Sequence, residues 1–176
     1  TKARLHIVNT CSITHQGDAD SRKLIRRLHR SNPDAAIVVT GCYATHAPQE
    51  VSALEGVRRV VGNGAKHRLF DGLGDEVAKS ESVPDILWDE LNQNAKKLRQ
   101  LSTALNPRRT RAYLKIQDGC DYRCSFCIVP SVRGASRSVA SEVLISEVQA
   151  LTRAGQKEIC LTGVHLGTYG RDLSPR

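Results

Sequence analysis

The sequence predicts an α/β protein in which a small doubly wound parallel sheet is followed by one βαβ unit of a parallel barrel or sheet. Two observations predict this class. Short aliphatic runs alternate with helical patterns at intervals of about 20–30 residues, which is typical of parallel βαβ units. A charged stretch punctuated by proline separates two such regions, which indicates two domains in the 176-residue chain.

The first predicted domain covers residues 1–75. The elements expected in it are, in order, strand 5–9, helix 18–30, strand 36–39, a short helix near 48–54 and strand 59–63. Cys11 and Cys42 each come directly after the carboxyl end of a strand. That edge is where open α/β sheets hold their ligands, so both cysteines are candidate site residues.

Residues 76–109 are expected to form a charged linker without strands, with a helical part around 88–101. An acidic stretch gives way there to a basic strip, residues 95–115. The strip contains seven basic residues and no acid: Lys96, Lys97, Arg99, Arg108, Arg109, Arg111 and Lys115. A solvated linker and a surface that contacts nucleic-acid phosphates are both compatible with this composition.

The second predicted domain covers residues 110–176. A strand is expected at 112–116, and a helix capped by Ser138 or Ser141 is expected to run to about residue 154. A second strand, 158–162, follows, which completes one βαβ unit. Because the sequence ends soon afterwards and contains no methionine, we expect a fragment that is inactive by itself.

The cysteines and the hydropathy pattern together predict a reduced, cytoplasmic protein. No apolar run reaches the ~18 residues that a membrane-spanning helix needs, and no signal-peptide pattern follows the first residues. Three of the six cysteines lie within eight residues. In a reducing compartment such a cluster more often binds metal or performs redox chemistry than forms disulfides.

Cys120, Cys124 and Cys127 form this cluster of three. A structural zinc site has four ligands, and no fourth Cys or His lies nearby in the sequence. A 4Fe–4S cluster has four irons, so three thiolates leave one iron open to a small molecule. The alternatives are a zinc loop completed by a distant residue, or cysteines that are simply buried.

The Cys-x3-Cys-x2-Cys spacing after a strand resembles the radical-SAM superfamily, whose cysteines follow the first barrel strand. The resemblance implies that the second domain is the first part of a radical-SAM (βα) partial barrel. Phe126 stands in the family's aromatic position before the last cysteine. The resemblance implies a 4Fe–4S cluster whose open iron chelates S-adenosylmethionine and cleaves it reductively to a 5′-deoxyadenosyl radical. It also implies that Thr162 and Gly163 approach the methionyl amino group, with an ordinary turn glycine as the alternative.

Two further sequence runs resemble one particular family within this superfamily. Residues 114–120 read Leu-Lys-Ile-Gln-Asp-Gly-Cys, and residues 133–138 read Arg-Gly-Ala-Ser-Arg-Ser. Both are similar to the methylthiotransferases, and most similar to the branch that modifies threonylcarbamoyladenosine beside the tRNA anticodon. The resemblance implies that a thiomethyl group replaces an adenine C2 hydrogen. It also implies tRNA and S-adenosylmethionine as partners, and an electron donor such as flavodoxin or ferredoxin.

The amino-terminal half resembles the methylthiotransferases as well. Val-Asn-Thr-Cys at residues 8–11 and Thr-Gly-Cys at residues 40–42 are similar to the amino-terminal domain of that family. There three cysteines hold a second, auxiliary 4Fe–4S cluster implicated in sulfur supply. Cys11 and Cys42 match the second and third ligands. The first normally lies upstream, in a Gly-Cys motif, and this sequence has no such motif before Cys11, so we expect the auxiliary site to be incomplete in this sequence.

Several alternative functions remain open. The nearest are methylthiolation of a ribosomal-protein aspartate and of isopentenyladenosine in tRNA. A different radical-SAM reaction would make Cys11 and Cys42 incidental. A non-enzymatic alternative is a metal-binding module that docks on RNA through the basic strip, which would bind zinc and lose RNA affinity steeply with salt.

Overall fold

A computed structural model describes residues 3–71, 85–87 and 110–173. These residues divide into two compact units. The first contains 3–71, 85–87 and Cys124–Arg133, and the second contains 110–123 and 134–173. The predicted domain boundaries remain predictions, and the expected helix around 88–101 lies outside the described residues.

The first unit is built on a parallel sheet of four strands. They are, in spatial and chain order, β1 (Leu5–Thr10), β2 (Ala36–Gly41), β3 (Val57–Val61) and β4 (Asp85–Leu87). The register pairs Thr10 with Gly41, so the carboxyl ends of β1 and β2 lie side by side. The α/β class and the parallel sheet predicted from the sequence are confirmed.

Among its described residues, this unit has four α-helices: α1 (His15–Ser31), α2 (Cys42–His46), α3 (Pro48–Ser52) and α4 (Val129–Arg133). Helix α1 begins three residues earlier than predicted because the Thr14 hydroxyl caps it, accepting a hydrogen bond from the Gly17 amide at 3.0 Å. Helix α2 was not predicted. It is a single turn, too short to carry a helical period.

Both faces of the sheet are covered by apolar side chains. One face packs against helices α1 to α3, with Ile25 and Val51 fully buried among the strand residues. The other face packs against a short segment containing Ala65 and Leu69. Two-sided burial explains why β2 is a continuous aliphatic run rather than an alternating one.

Strand β4 corrects the expectation that the linker 76–109 contains no strand. Asp85–Leu87 pairs in parallel with β3, and the Asp85 carboxylate lies 3.2 Å from the Arg59 guanidinium. Three residues cannot show the alternation that identifies a strand in sequence. The strand forms because β3 offers it unpaired backbone groups and an apolar face, which are tertiary features.

The second unit contains one parallel βαβ unit, as predicted. Strands β5 (Arg111–Lys115) and β8 (Glu158–Thr162) pair in parallel, and helix α5 (Ser141–Arg153) lies between them in the chain. A short antiparallel ladder, β6 (Gln117–Asp118) with β7 (Arg137–Ser138), joins the loop after β5 to the segment before α5.

Two local predictions in this unit are wrong. Neither serine caps α5: Ala140 is the N-cap residue, and the Ser138 hydroxyl donates to Asp172 instead, at 2.6 Å. The position of Cys160 between Ile159 and Leu161 in a strand predicts a core residue, but Cys160 is only half-buried. Its strand has a paired neighbour on one side only among the described strands, so less of it is covered.

Candidate functional site

The carboxyl edge of the first sheet is fastened by two threonine hydroxyls. Thr10 donates to the backbone oxygen of Thr40 at 2.6 Å, and Thr40 donates to that of Val61 at 2.8 Å. The strand ends that precede Cys11 and Cys42 are therefore held together. As predicted, both cysteines follow strand ends, with Cys11 exposed and Cys42 buried.

Gly41 allows the abrupt change from strand β2 to the helix that begins at Cys42. Its φ of 103° and ψ of −164° lie in a region that is essentially restricted to glycine. A Cβ atom there would lie 2.3 Å from the backbone oxygen of Thr10 and 2.9 Å from the Asn9 Oδ1 atom. The glycine therefore permits the backbone of β1 to approach directly beside Cys42.

Asn63, two residues after the end of β3, is a polar neighbour of Cys42. Its side-chain nitrogen lies 3.7 Å from the Cys42 sulfur and 2.8 Å from the Val132 oxygen. Sequence reasoning assigned no role to Asn63. The predicted strand 59–63 included Asn63, whereas β3 ends at Val61, so the prediction did not place this residue beyond the strand end.

Tyr43 anchors the helix that Cys42 begins. It is 1% exposed, and its hydroxyl accepts a hydrogen bond from Arg22 at 2.9 Å. Burial raises the pKa of Tyr43 above its ordinary value, with hydrogen bonding to Glu50 adding to the rise and Arg22 opposing it. The tyrosine is therefore neutral at physiological pH and fixes α2 by packing and hydrogen bonding.

Cys120 opens the predicted cluster loop and lies in the second unit. Its amide donates to the backbone oxygen of Gly134 at 3.1 Å. Gly119 before it has a φ of +73°, and a Cβ atom there would lie 2.0 Å from the Ala135 oxygen. The amide of Ser136 donates to the Asp121 carboxylate at 2.9 Å. The 133–138 run thus folds directly against the start of the cysteine loop.

Cys124 and Cys127 lie in the first unit, where the Cys127 amide donates to the Cys124 oxygen at 3.0 Å. Both are free thiols, as is Cys120. Phe126 is 91% exposed, so its ring makes little contact with the described residues. Three free thiols within eight residues fit an iron–sulfur cluster in donor chemistry. Across 3–71, 85–87 and 110–173, however, no three His, Cys, Asp or Glu side chains are gathered as a metal-holding group.

Thr162 and Gly163 lie at the end of β8, as predicted. The Thr162 hydroxyl donates to the backbone oxygen of Leu114 at 3.3 Å. A Cβ atom at Gly163 would lie 2.7 Å from a methyl carbon of Leu166 and 3.1 Å from Gln117. Close packing is therefore a sufficient reason for glycine at this position.

The two described members of the basic strip both pair with acids. The Arg111 guanidinium lies 2.7 Å from Glu158, and the Lys115 ammonium lies 2.5 Å from Asp118. Glu158 also raises the pKa of Arg111, chiefly through this hydrogen bond. The other five basic residues lie outside the described residues.

Two family models match the chain. The model described as "Uncharacterized protein family UPF0004" matches residues 1–62, and the radical SAM superfamily model matches residues 114–171. The first match contains Cys11 and Cys42, and the second contains all three loop cysteines. Within the described ranges, no helix has the length and apolar composition needed to cross a membrane.

Curated relatives align over nearly the whole chain. Two are threonylcarbamoyladenosine tRNA methylthiotransferases MtaB: that of Bacillus subtilis is 42% identical over 97% of this chain and 37% of its own length. That of Aquifex aeolicus is 39% identical over 97% of this chain and 41% of its own length. The ribosomal protein uS12 methylthiotransferase RimO of a Synechococcus strain is 35% identical over 97% of this chain and 34% of its own length.

These matches confirm the predicted resemblance to radical-SAM methylthiotransferases and the predicted fold class, a parallel α/β unit followed by radical-SAM sequence. The chain spans about two fifths of the length of the two tRNA-modifying relatives. Relatives named for tRNA and for a ribosomal protein both align along it. Similarity to the radical SAM superfamily implies S-adenosylmethionine and a 4Fe–4S cluster.

Proposed function

We propose that this chain, a relative of the radical-SAM methylthiotransferases, comes from an enzyme that methylthiolates adenine C2 of threonylcarbamoyladenosine beside the tRNA anticodon. The observation that carries the proposal is the trio of free thiols, Cys120, Cys124 and Cys127, in the loop that follows strands β5 and β6. They lie in the part of the chain that matches the radical SAM superfamily. We place the enzyme in the cytoplasm, where its tRNA substrate is made.

The three loop cysteines are proposed to bind the cluster through their thiolates. When bound, a 4Fe–4S cluster with S-adenosylmethionine supplies the radical that abstracts hydrogen from the substrate. Cys124 is exposed and the other two are half-buried, so all three can be reached by an assembling cluster. Because only three thiolates are offered, one iron is left for S-adenosylmethionine, and this distinguishes the site from a closed structural metal site.

Thr162, Gly163 and Phe126 are proposed to contact S-adenosylmethionine. The first two lie at the carboxyl end of β8, the edge where parallel strands present ligands. Phe126 lies between Cys124 and Cys127 in the sequence, with its ring exposed and available for contact with a ligand. Electrons are proposed to come from a small donor such as flavodoxin or ferredoxin.

Cys11 and Cys42 are proposed as two ligands of the auxiliary cluster. Their strands are adjacent and parallel, and the register places Thr10 beside Gly41. The two cysteines therefore follow paired positions on one sheet edge. A third ligand is needed, and we propose that it lies upstream of Cys11.

The choice of tRNA over a ribosomal protein rests on the relatives. Two tRNA-modifying relatives are 42% and 39% identical to this chain, above the 35% of the relative named for uS12, while three others are 30–35% identical. The deciding experiment gives the reconstituted full-length protein either tRNA carrying threonylcarbamoyladenosine or ribosomal protein uS12. We expect thiomethyl transfer to the tRNA alone. Transfer to uS12 alone would replace the proposed substrate, and transfer to neither would refute the proposed reaction.

A further inference from the structure

Gln117 is a fully buried polar side chain with hydrogen bonds at both ends. It is 0% exposed. Its nitrogen donates to the backbone oxygen of Gly119 at 2.8 Å and to the Ser136 hydroxyl at 3.0 Å. Its oxygen accepts from the amides of Val164 and His165, each at 2.9 Å. The same nitrogen also donates to the backbone oxygen of Asp118 at 3.2 Å. The side chain therefore satisfies five neighbouring polar groups in the interior of the second unit.

The partners fix which way the amide points. The two backbone amides at one end can only donate, so they require the carbonyl oxygen of Gln117. The Gly119 oxygen at the other end can only accept, so it requires the nitrogen. Reversing the amide would place donors against donors and an acceptor against an acceptor, at a cost of about 1–3 kcal/mol for each buried group left unsatisfied.

Gln117 thereby joins two segments that are far apart in the sequence. One is the loop start at Gly119, directly before Cys120, and the other is the turn after β8 that contains Val164 and His165. We infer that Gln117 is a positioning residue that holds the first cysteine of the loop and the turn after β8 in one fixed arrangement. Its importance for S-adenosylmethionine binding rests on the function proposed above.

The close packing of Gly163 against Gln117 also supports this inference. A Cβ atom there would lie 3.1 Å from both the Cβ and the Oε1 atoms of Gln117. The turn therefore fits closely around the glutamine side chain. A shorter asparagine could not span the same two segments, and a leucine or methionine would leave buried donors and acceptors unpaired.

The first test uses the cluster-free full-length protein and two variants. Gln117→Met keeps the approximate length and removes both sets of hydrogen bonds. Gln117→Glu keeps acceptor oxygens for Val164 and His165 but removes the donor to Gly119. The matched control is Gln149→Met, at an exposed position of α5. The measurements are amide hydrogen exchange and the rate at which iodoacetamide alkylates Cys120, both resolved by peptide mass spectrometry.

In Gln117→Met we expect exchange at Val164 and His165 to accelerate about tenfold, and Cys120 to be alkylated faster than in Gln149→Met. In Gln117→Glu we expect faster alkylation of Cys120 while the two amides keep their protection. Unchanged exchange and alkylation in both variants would overturn the inference. So would equal acceleration in every peptide, because that would show a purely stabilising residue.

The second test uses the reconstituted protein and measures iron content and the Kd for S-adenosylmethionine. We expect Gln117→Met to match Gln149→Met in iron content but to bind S-adenosylmethionine about tenfold more weakly, equivalent to about 1.4 kcal/mol. Equal affinity in the two variants would contradict the role in cofactor binding. If the parent protein binds neither iron nor S-adenosylmethionine, the proposed function fails, and the first test still decides the role of Gln117.

Discussion

The side-chain amide of Asn63 donates to the backbone oxygen of Val132 at 2.8 Å, across 69 residues of sequence. Val132 is 1% exposed and lies in α4, which begins two residues after Cys127. The same amide nitrogen lies 3.7 Å from the Cys42 sulfur. Asn63 therefore ties the helix that follows the loop cysteines to the sheet edge that carries Cys42.

Removing this amide is expected to destabilise the first unit. In Asn63→Ala the Val132 oxygen loses its donor in a buried position, and the free energy of unfolding should fall by about 1–2 kcal/mol. Urea unfolding followed by circular dichroism measures the change. Gln16→Ala is the control, because that amide makes an exposed bond within α1 to Asp20. Equal losses of unfolding free energy in the two variants would show that the Asn63 hydrogen bond stabilises the protein no more than an exposed one does.

Gly41→Ala is expected to be the most damaging glycine substitution in the first unit. Its backbone conformation is nearly exclusive to glycine, and the added Cβ atom would overlap the Thr10 backbone. We expect a loss of about 3 kcal/mol or more in unfolding free energy. We also expect faster alkylation of Cys42, which is 3% exposed in the native structure.

Two other glycines calibrate this prediction. Gly155 has a φ of +86° but nothing within 4 Å of an added Cβ atom, so Gly155→Ala should cost about 1 kcal/mol. Gly17 is helical and has room for a Cβ atom, so Gly17→Ala should be neutral or stabilising by up to about 1 kcal/mol. If Gly41→Ala were as stable as Gly155→Ala, the ends of β1 and β2 would have to move apart at little cost to accommodate the added Cβ atom.

Asp172 is expected to contribute stability that depends on pH. Burial by itself raises the pKa of this carboxyl, but two hydrogen bonds from Ser138, at 2.7 and 2.6 Å, and the charge of Arg137 lower it overall. Because the native pKa lies below the unfolded value of about 3.9, the ionised carboxylate contributes its full stabilisation at pH values above the unfolded pKa. This stabilisation is lost as the pH falls through the native pKa.

Asp172→Asn should therefore be less stable than the parent at pH 7, by at most about 1 kcal/mol, because Asp172 is exposed and solvent screens the interaction. The difference in unfolding free energy should shrink as the pH falls below about 4, because the parent carboxylate becomes protonated. Urea unfolding at several pH values measures it, with Asp34→Asn, an exposed turn position, as the control. A difference that stays constant down to about pH 2 would contradict a lowered pKa at Asp172.

The strands and the loop cysteines were predictable because each depends on local sequence. Aliphatic runs gave β1, β2, β3, β5 and β8 to within about two residues. Cys11 and Cys42 were predicted at strand ends because the end of an aliphatic run before a cysteine can be recognised in the sequence alone. The spacing of the loop cysteines carried the resemblance to the radical-SAM superfamily without any tertiary information.

The polar contacts around these cysteines were not predictable in the same way. Asn63 and Gln117 are single amide residues whose partners lie 69 and 47–48 residues away. Nothing in their neighbourhood in the sequence distinguishes them from exposed amides, which are more common. The prediction that Ser138 caps α5 is wrong for a similar reason, because the Ser138 hydroxyl donates its hydrogen bond to Asp172, 34 residues away in the sequence.

The central claim is that Cys120, Cys124 and Cys127 bind an iron–sulfur cluster. The most direct test measures iron and sulfide after anaerobic reconstitution of this chain and of a Cys120/Cys124/Cys127→Ala variant, with Cys160→Ala as the control. We expect the triple variant to lose about four irons per chain and the control to lose none, any iron left in the triple variant being held by Cys11 and Cys42. Uptake of zinc without iron by the parent, or full iron retention in the triple variant, would contradict the account.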